Sequence, residues 1–185
     1  MIDSLAISSQ LTYVRIRGLF GYFHKAADKH NVPIALLLAI ASRESNMGLN
    51  LDANWTGDNG YGIGIMQIDR RYHPEFTSQF ANNDHQANIN YGAEFLSGLF
   101  RQFPGDLPAA IAAYNAGPAR VRSARASGLP PDAVTTGRDY SSDVIERMNV
   151  IESLLGASKI SRFTAASMVL IFAGFASYTL LTQTN

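Results

Sequence analysis

Glu44 ends an unusually apolar stretch of the chain, and its surroundings indicate chemistry. Asn31 and Pro33 predict the start of a helix, and the apolar residues 34–41 are typical of a helix buried on every side. Burial and the negative end of the helix dipole both disfavour a charged carboxylate, so we expect a raised pKa for Glu44. A carboxylic acid that stays protonated near neutral pH can act as a general acid. The alternative is a helix-end glutamate that reaches solvent.

Composition and spacing exclude several other kinds of site. The chain of 185 residues has fifteen basic and fifteen acidic side chains, so no global field recruits a nucleic acid. It has no cysteine, which excludes disulfides, thiolate metal sites and a cysteine nucleophile. Its four histidines lack metal-ligand spacing, and a calcium loop starting at Asp52 would place Ile63 where a bidentate glutamate belongs. We therefore expect neither a metal ion nor another cofactor.

The elements that must position Glu44 are mostly helices. Apolar residues recur at helical spacing in four further stretches, and no long alternating run indicates an extended strand. Residues 46–64 contain five of the fifteen glycines, which predicts turns and a short irregular β hairpin. We predict a mainly α domain with a small irregular β element over residues 1–156. The four stretches span residues 16–27, 89–103, 109–114 and 144–155.

The carboxyl-terminal tail has a different composition. Residues 163–181 are nineteen positions without a charged side chain, just enough at about 1.5 Å per residue to cross a hydrocarbon core of about 30 Å. Lys159 and Arg162 lie in the predicted linker, residues 157–162, and favour a cytoplasmic position for the preceding domain. The prediction is a single membrane-spanning helix, and a buried terminal helix is the alternative. The amino terminus lacks the pattern of a signal peptide.

Five segments together resemble the goose-type lysozymes and the related soluble lytic transglycosylases, of the lysozyme-like superfamily. They occur in the same order as in those enzymes, within residues 30–155. The resemblance implies a lysozyme-like helical fold with a small β element. It also implies cleavage of the β-1,4 bond between N-acetylmuramic acid and N-acetylglucosamine in peptidoglycan. The segments are SRES at residues 42–45, WTGDNGYG at 55–62, GIMQID at 64–69, AYNAG at 113–117 and DY at 139–140.

The resemblance implies roles for three carboxyl groups. Glu44 occupies the position of the family's catalytic glutamate, in agreement with the argument from its helix. Asp58 and Asp69 lie where the goose-type enzymes have two aspartates near the cleft. An inverting hydrolase needs such a second carboxylate, roughly 6.5–9.5 Å from the acid, to activate water on the opposite face of the sugar. Either aspartate could serve as this base, and either could instead cap a turn.

Five further positions match substrate-binding residues of the family. Recognition of a glycan requires apolar faces and directed polar groups in a cleft. Tyr114 and Asn115 match a Tyr–Asn pair in which the tyrosine supports the acid or a sugar ring and the asparagine binds an acetamido group. Gln67, His73 and Tyr140 match by position, although loop packing would also explain His73 and Tyr140.

Three functions remain open at this point. The first is a muramidase, a peptidoglycan hydrolase, anchored by the membrane helix. The second is a lytic transglycosylase, which releases 1,6-anhydromuramoyl products. The third is a non-catalytic protein of the wall or the membrane that retains the fold, and the presence of all three carboxyl groups argues against it.

The partners and the location follow from the same features. We expect the chain to bind peptidoglycan strands and a membrane, and not a nucleic acid. Cell-wall chemistry with a membrane segment and without a signal peptide predicts a bacteriophage product in a virion membrane or the host cell envelope. A bacterial enzyme exported by its membrane segment is the alternative.

Overall fold

The computed structural model describes residues 2–156, which form eight α-helices, a three-stranded sheet and short 3-10 turns. The mainly helical architecture with a small β element confirms the sequence prediction. The helices are α1 Ser4–Ile16, α2 Phe20–His30, α3 Ile34–Ser45, α4 Pro74–Thr77, α5 His85–Gln102, α6 Leu107–Ala116, α7 Pro118–Ala126 and α8 Tyr140–Leu155. The strands are β1 Thr56–Gly57, β2 Gly62–Ile63 and β3 Ile68–Asp69, and the 3-10 turns are Asn46–Gly48, Asp58–Gly60, Pro131–Val134 and Thr136–Arg138.

Helix α3 belongs to the main apolar cluster and is buried on every side, as its composition predicts. Every residue from Ala35 to Ser42 is buried. Each large apolar side chain in this run contributes roughly 1.5–3 kcal/mol to stability by leaving water. Helix α8 packs along α3, and residues of α1, α2 and α5 belong to the same cluster. A smaller cluster joins α5, α6 and α7.

The boundary between α2 and α3 differs from the sequence prediction. Asn31, expected to cap the start of α3, instead ends α2 in the left-handed region, at φ 53°. Pro33 directly precedes α3. The residue that follows α3, Asn46, is also in the left-handed region, at φ 50°. Asparagine adopts left-handed backbone more readily than other residues that carry a Cβ, so it can replace glycine at a helix end.

The sheet is antiparallel in the order β1-β2-β3. Thr56 pairs with Ile63 across the first two strands, and Ile63 pairs with Ile68 across the next two. The first pair confirms the hairpin predicted within residues 46–64, and β3 extends it. Strands of two residues are too short to be stable alone.

Asn88 of α5 fixes the turn between β2 and β3 from outside the sheet. This buried side chain accepts a hydrogen bond from the Met66 N–H at 2.9 Å and donates one to the Ile63 carbonyl oxygen at 2.9 Å. Gly64 lies against the same amide, with φ 67°, and a Cβ there would be 2.5 Å from the Asn88 side-chain carbon. The loop that carries the predicted site residues is therefore anchored to a long helix.

The predicted linker, residues 157–162, and the predicted membrane-spanning segment, residues 163–181, lie outside the described residues. Among the helices of residues 2–156, none combines the length and the apolar character needed to cross a bilayer.

Helix α8 is capped from a neighbouring turn. Asp139 precedes its first residue, but the Asp139 carboxylate pairs with an arginine of α3 at 2.8 Å. The Asp132 carboxylate instead accepts hydrogen bonds from the N–H groups of Ser141 at 2.7 Å and Ser142 at 3.1 Å, and from both hydroxyls. Partial burial raises the pKa of Asp132, but these hydrogen bonds outweigh it and hold that pKa below its ordinary value.

Replacement of this cap should destabilise the protein in a pH-dependent manner. We expect Asp132→Ala to lower the free energy of unfolding by about 1–2 kcal/mol near neutral pH, because it leaves two helix N–H groups without a partner. The pKa of Asp132 is lower in the folded protein, so its stabilisation is present above the unfolded pKa and is lost as the pH falls through the folded pKa. Urea denaturation of both proteins at a series of pH values measures this effect. A difference in the free energy of unfolding between the two proteins that stays constant into the acid range would contradict this role of Asp132.

Candidate active site

A cleft of about 650 Å³ lies beside the end of α3 and contains most of the predicted site residues. Its volume is in the range of substrate-binding sites. Tyr140 does not line the cleft, but its hydroxyl donates a hydrogen bond to Glu44. The other seven predicted residues line the cleft: Glu44, Asp58, Gln67, Asp69, His73, Tyr114 and Asn115.

The ionisation of Glu44 is controlled by opposing effects. Burial at the end of α3 raises the pKa of Glu44 to about 7, and is the largest effect. The hydrogen bond from Tyr140 to Oε1 and the positive charge of Arg43 both lower this pKa and partly offset burial. The direction of the pKa shift agrees with the expectation from the sequence. Near neutral pH the carboxyl group is therefore present in both protonated and ionised forms.

Two tyrosines near Glu44 make different contacts. Tyr140 is buried and supports the acid directly through its hydroxyl. The Tyr114 hydroxyl donates instead to the Met66 carbonyl oxygen at 3.0 Å, and its ring packs against Phe95 with the centroids 5.4 Å apart. The hydrogen bond to the acid thus comes from Tyr140, whereas Tyr114 contributes a ring to the cleft, and a place beside a sugar ring is one of the two roles that the resemblance left open for Tyr114.

Asp58 and Asp69 share a cation, Arg71. The guanidinium binds Asp69 through Nε at 3.0 Å and Nη2 at 2.5 Å, and the same Nη2 lies 3.2 Å from Asp58. Hydrogen bonding to Arg71 holds the pKa of Asp69 below its ordinary value, so Asp69 is ionised near neutral pH. Arg71 also lies over the Tyr61 ring, 4.1 Å from its centroid. These contacts join the two aspartates into one anionic group on the cleft wall.

Gln67 explains two of the glycines in the β element. Its side-chain amide donates to the Gly64 carbonyl oxygen at 2.8 Å and lies over Gly57 and Gly62. A Cβ at either of those glycines would overlap with the Gln67 amide oxygen. The glycines therefore make room for the side chain of a predicted substrate-binding residue.

Asn115 keeps a hydrogen-bond donor available to a substrate. Its Oδ1 accepts a hydrogen bond from the Thr136 N–H at 2.9 Å, which ties α6 to the turn before α8. Its amide nitrogen forms no hydrogen bond within residues 2–156. This leaves two N–H protons that can reach a carbonyl oxygen, as the predicted role toward an acetamido group requires.

Sequence reasoning missed Arg71, although it stands two positions after Asp69 and next to another arginine. It also missed Tyr91, whose hydroxyl lies 2.9 Å from Nδ1 of His73. A basic side chain beside a predicted catalytic carboxylate was an available signal for the first, and the sequence carried no signal for the second. Within the part of the chain that the structure describes, no group of three or more acidic or histidine side chains could hold a metal ion.

Comparisons with a family model and with individual proteins point to the same family. A family model described as Lysozyme g matches residues 15–152. Lysozyme g of Struthio camelus is 36% identical over 132 residues, which cover 66% of this chain and 60% of that protein. Lysozyme g of Gallus gallus is 37% identical over 122 residues, covering 61% and 54%, and that of Takifugu rubripes is 34% identical over 144 residues, covering 72% and 73%. The chain spans less than two thirds of the length of the two bird relatives.

Removal of the Tyr140 hydroxyl should raise the pKa of Glu44 further. The hydrogen bond from Tyr140 stabilises the ionised carboxylate, so Tyr140→Phe leaves burial less opposed. Titration of the Glu44 side-chain carbon by NMR should give a midpoint near 7 in the original chain, and a higher midpoint in the variant. Tyr22→Phe, at a partly buried tyrosine outside the cleft, is the matched control. An unchanged or lower midpoint in Tyr140→Phe would contradict this assignment.

Proposed function

This chain belongs to the lysozyme g family, and on that premise we propose that it is a muramidase. Its substrate would be the β-1,4 bond between N-acetylmuramic acid and N-acetylglucosamine in peptidoglycan. One observation carries the proposal: a glutamate with a pKa of about 7 lies in a cleft whose wall holds two aspartates. That combination suits acid-catalysed glycoside hydrolysis.

Glu44 is the proposed general acid. Its protonated carboxyl gives its proton to the glycosidic oxygen while the bond from that oxygen to the anomeric carbon breaks. The resulting Glu44 carboxylate is stabilised by the Tyr140 hydroxyl and the Arg43 charge. The groups that lower the pKa of the acid thus also favour the ionised form that the reaction produces.

Asp58 and Asp69 are the proposed partners of the attacking water. The pKa of Asp69 lies below its ordinary value because of the hydrogen bond from Arg71, so an ionised carboxylate is present to accept a hydrogen bond from water. Asp58 makes a single contact with Arg71 and is the more exposed of the two. We propose that the pair orients and activates water on the sugar face opposite Glu44. Gln67, His73, Tyr114 and Asn115 would bind the glycan strand on either side of the scissile bond.

The decisive experiment is digestion of purified peptidoglycan by the chain and by Glu44→Gln. We expect a rate loss of roughly 10²–10⁴-fold in the variant, because an amide cannot donate the catalytic proton. Activity of the original chain should fall as the pH rises past about 7, because the acid must be protonated. Glu94→Gln, an exposed glutamate outside the cleft, is the control.

The products separate the competing functions. Mass spectrometry of fragments that have gained one water molecule supports the hydrolase, whereas 1,6-anhydromuramoyl fragments would replace it with a lytic transglycosylase. Binding to the wall without fragment release, unchanged by Glu44→Gln, would identify a non-catalytic protein. A native rate in Glu44→Gln would remove Glu44 from the role of acid.

We also propose that residues 163–181 anchor the enzyme in a membrane, either that of a bacteriophage virion or the host cell envelope. Support comes from the sequence, since nineteen uncharged positions follow Lys159 and Arg162. Detection of the protein in purified virions would support the phage origin. Its presence only in the envelope of uninfected bacteria would favour the exported bacterial enzyme.

Charged substitutions within residues 163–181 should abolish membrane association. We expect the full chain to remain with membranes after alkaline extraction, and a variant with Leu170→Arg and Phe175→Asp to be released. Each charge near the bilayer centre costs about 2.5–3.5 kcal/mol. Gln183→Arg, beyond the apolar segment, is the control and should stay membrane-bound. Equal extraction of all three proteins would contradict the anchor.

A further inference from the structure

His73 is connected to Glu75 by a chain of two hydrogen bonds through Tyr91. Nδ1 of His73 lies 2.9 Å from the Tyr91 hydroxyl oxygen, and that oxygen lies 2.7 Å from Oε1 of Glu75. His73 lines the cleft that holds Glu44, whereas Tyr91 lines a second cavity. The chain of hydrogen bonds therefore runs from the cleft, through a residue of the second cavity, to a largely exposed carboxylate.

The packing around Tyr91 fixes its hydroxyl in place. The Tyr91 ring stacks on Phe76 of α4, with centroids 4.3 Å apart and planes at 24°. The edge of the His73 ring contacts Tyr91 and Phe95, with centroids 5.5 and 4.9 Å away. The backbone N–H of His73 also donates a hydrogen bond to the Asp69 carbonyl oxygen at 2.9 Å. Both the backbone and the ring of His73 are therefore held in place.

The number of available protons determines the direction of each hydrogen bond. A tyrosine hydroxyl has one proton to donate. The hydrogen bond from Tyr91 holds the pKa of Glu75 below its ordinary value, so Glu75 is a carboxylate near neutral pH and can only accept. The Tyr91 proton therefore points to Glu75, and Nδ1 of His73 must supply the proton of the other bond.

The protonation of the opposite ring nitrogen follows. Burial lowers the pKa of His73, and the charges of Glu75 and Asp69 offset this only in part, so the ring is neutral near pH 7. A neutral imidazole carries one proton, and here that proton is on Nδ1. Nε2 is then a bare acceptor, and it forms no hydrogen bond to any residue that the structure describes.

We propose that Tyr91 and Glu75 are positioning residues that hold His73 in its Nδ1–H form, so that Nε2 accepts a hydrogen bond from a substrate. The complementary group is a hydrogen-bond donor of the glycan, a sugar hydroxyl or an acetamido N–H. This inference rests on the proposed function for the identity of the substrate, but the tautomer itself does not depend on it. Asn115 offers the opposite polarity in the same cleft, because its free amide hydrogens are donors.

The tautomer can be measured by ¹⁵N NMR of the imidazole in the full chain, since a protonated and a bare ring nitrogen have distinct chemical shifts. His73→Gln assigns the signals. We expect the original chain to be protonated at Nδ1 and Tyr91→Phe to give a mixture. In Glu75→Gln the new amide can donate to the Tyr91 oxygen, so Tyr91 can donate to Nδ1 and the population should move toward Nε2–H. Tyr22→Phe should leave the spectrum unchanged.

Kinetics on peptidoglycan tests the consequence for binding. We expect Tyr91→Phe and Glu75→Gln to raise KM by about three- to tenfold, with kcat within about twofold of the original value, as for loss of one neutral hydrogen bond. Glu75 is largely exposed, so its variant serves if Tyr91→Phe fails to fold.

An Nε2–H signal in the original chain, or an unchanged tautomer and KM in both variants, would overturn the proposal. If the original chain releases no fragments from peptidoglycan, the proposed function fails, and the NMR result still decides the tautomer.

Discussion

The site depends on a carboxyl group held between two environments that favour opposite charges. The protein around the end of α3 disfavours an ionised Glu44, while Tyr140 and Arg43 favour it. A wholly apolar pocket would raise the pKa of Glu44 so far that the proton is not released, and a wholly polar pocket would leave that pKa below neutral pH. The intermediate arrangement leaves a group that can give up a proton and then remain stable without it, which is the requirement for an acid that acts repeatedly.

Helix α8 supplies Tyr140, the hydrogen-bond donor that favours the ionised form of Glu44. Its first residue is Tyr140, and its start is fixed by Asp132 at the backbone and by Arg43, which pairs with Asp139 at 2.8 Å and Asp143 at 3.2 Å. Arg43 thus serves both the helix packing and the electrostatics of Glu44. The position of the acid on α3 and that of its hydrogen-bond donor on α8 are set by the same ion pairs.

The sequence predicted what depends on local pattern. The apolar run before Glu44 was sufficient to predict a buried helix that ends in a carboxyl group of raised pKa. Helical spacing of apolar residues predicted the mainly α fold. The prediction that Asn31 caps the start of α3 was wrong, because an asparagine that begins one helix and an asparagine that ends the previous helix look alike in sequence. Motif matches placed seven residues on one cleft, but they did not reveal Arg71 or Tyr91. Arg71 lies two positions after Asp69, so its place beside a predicted carboxylate was a signal that went unused. Tyr91 and His73 are eighteen positions apart and meet only in the folded chain, so no spacing rule predicts their contact.

The three strands that flank Asp58 and Gln67 and end at Asp69 have a consequence for how the cleft forms. Each has only two residues, and the turn between the last two is held by Asn88 from α5. This wall of the cleft therefore depends for its stability on its contacts with α5 and the helical core. We therefore expect the cleft and the helical body to form in one cooperative transition, so this architecture does not favour an intermediate with folded helices and a misassembled cleft.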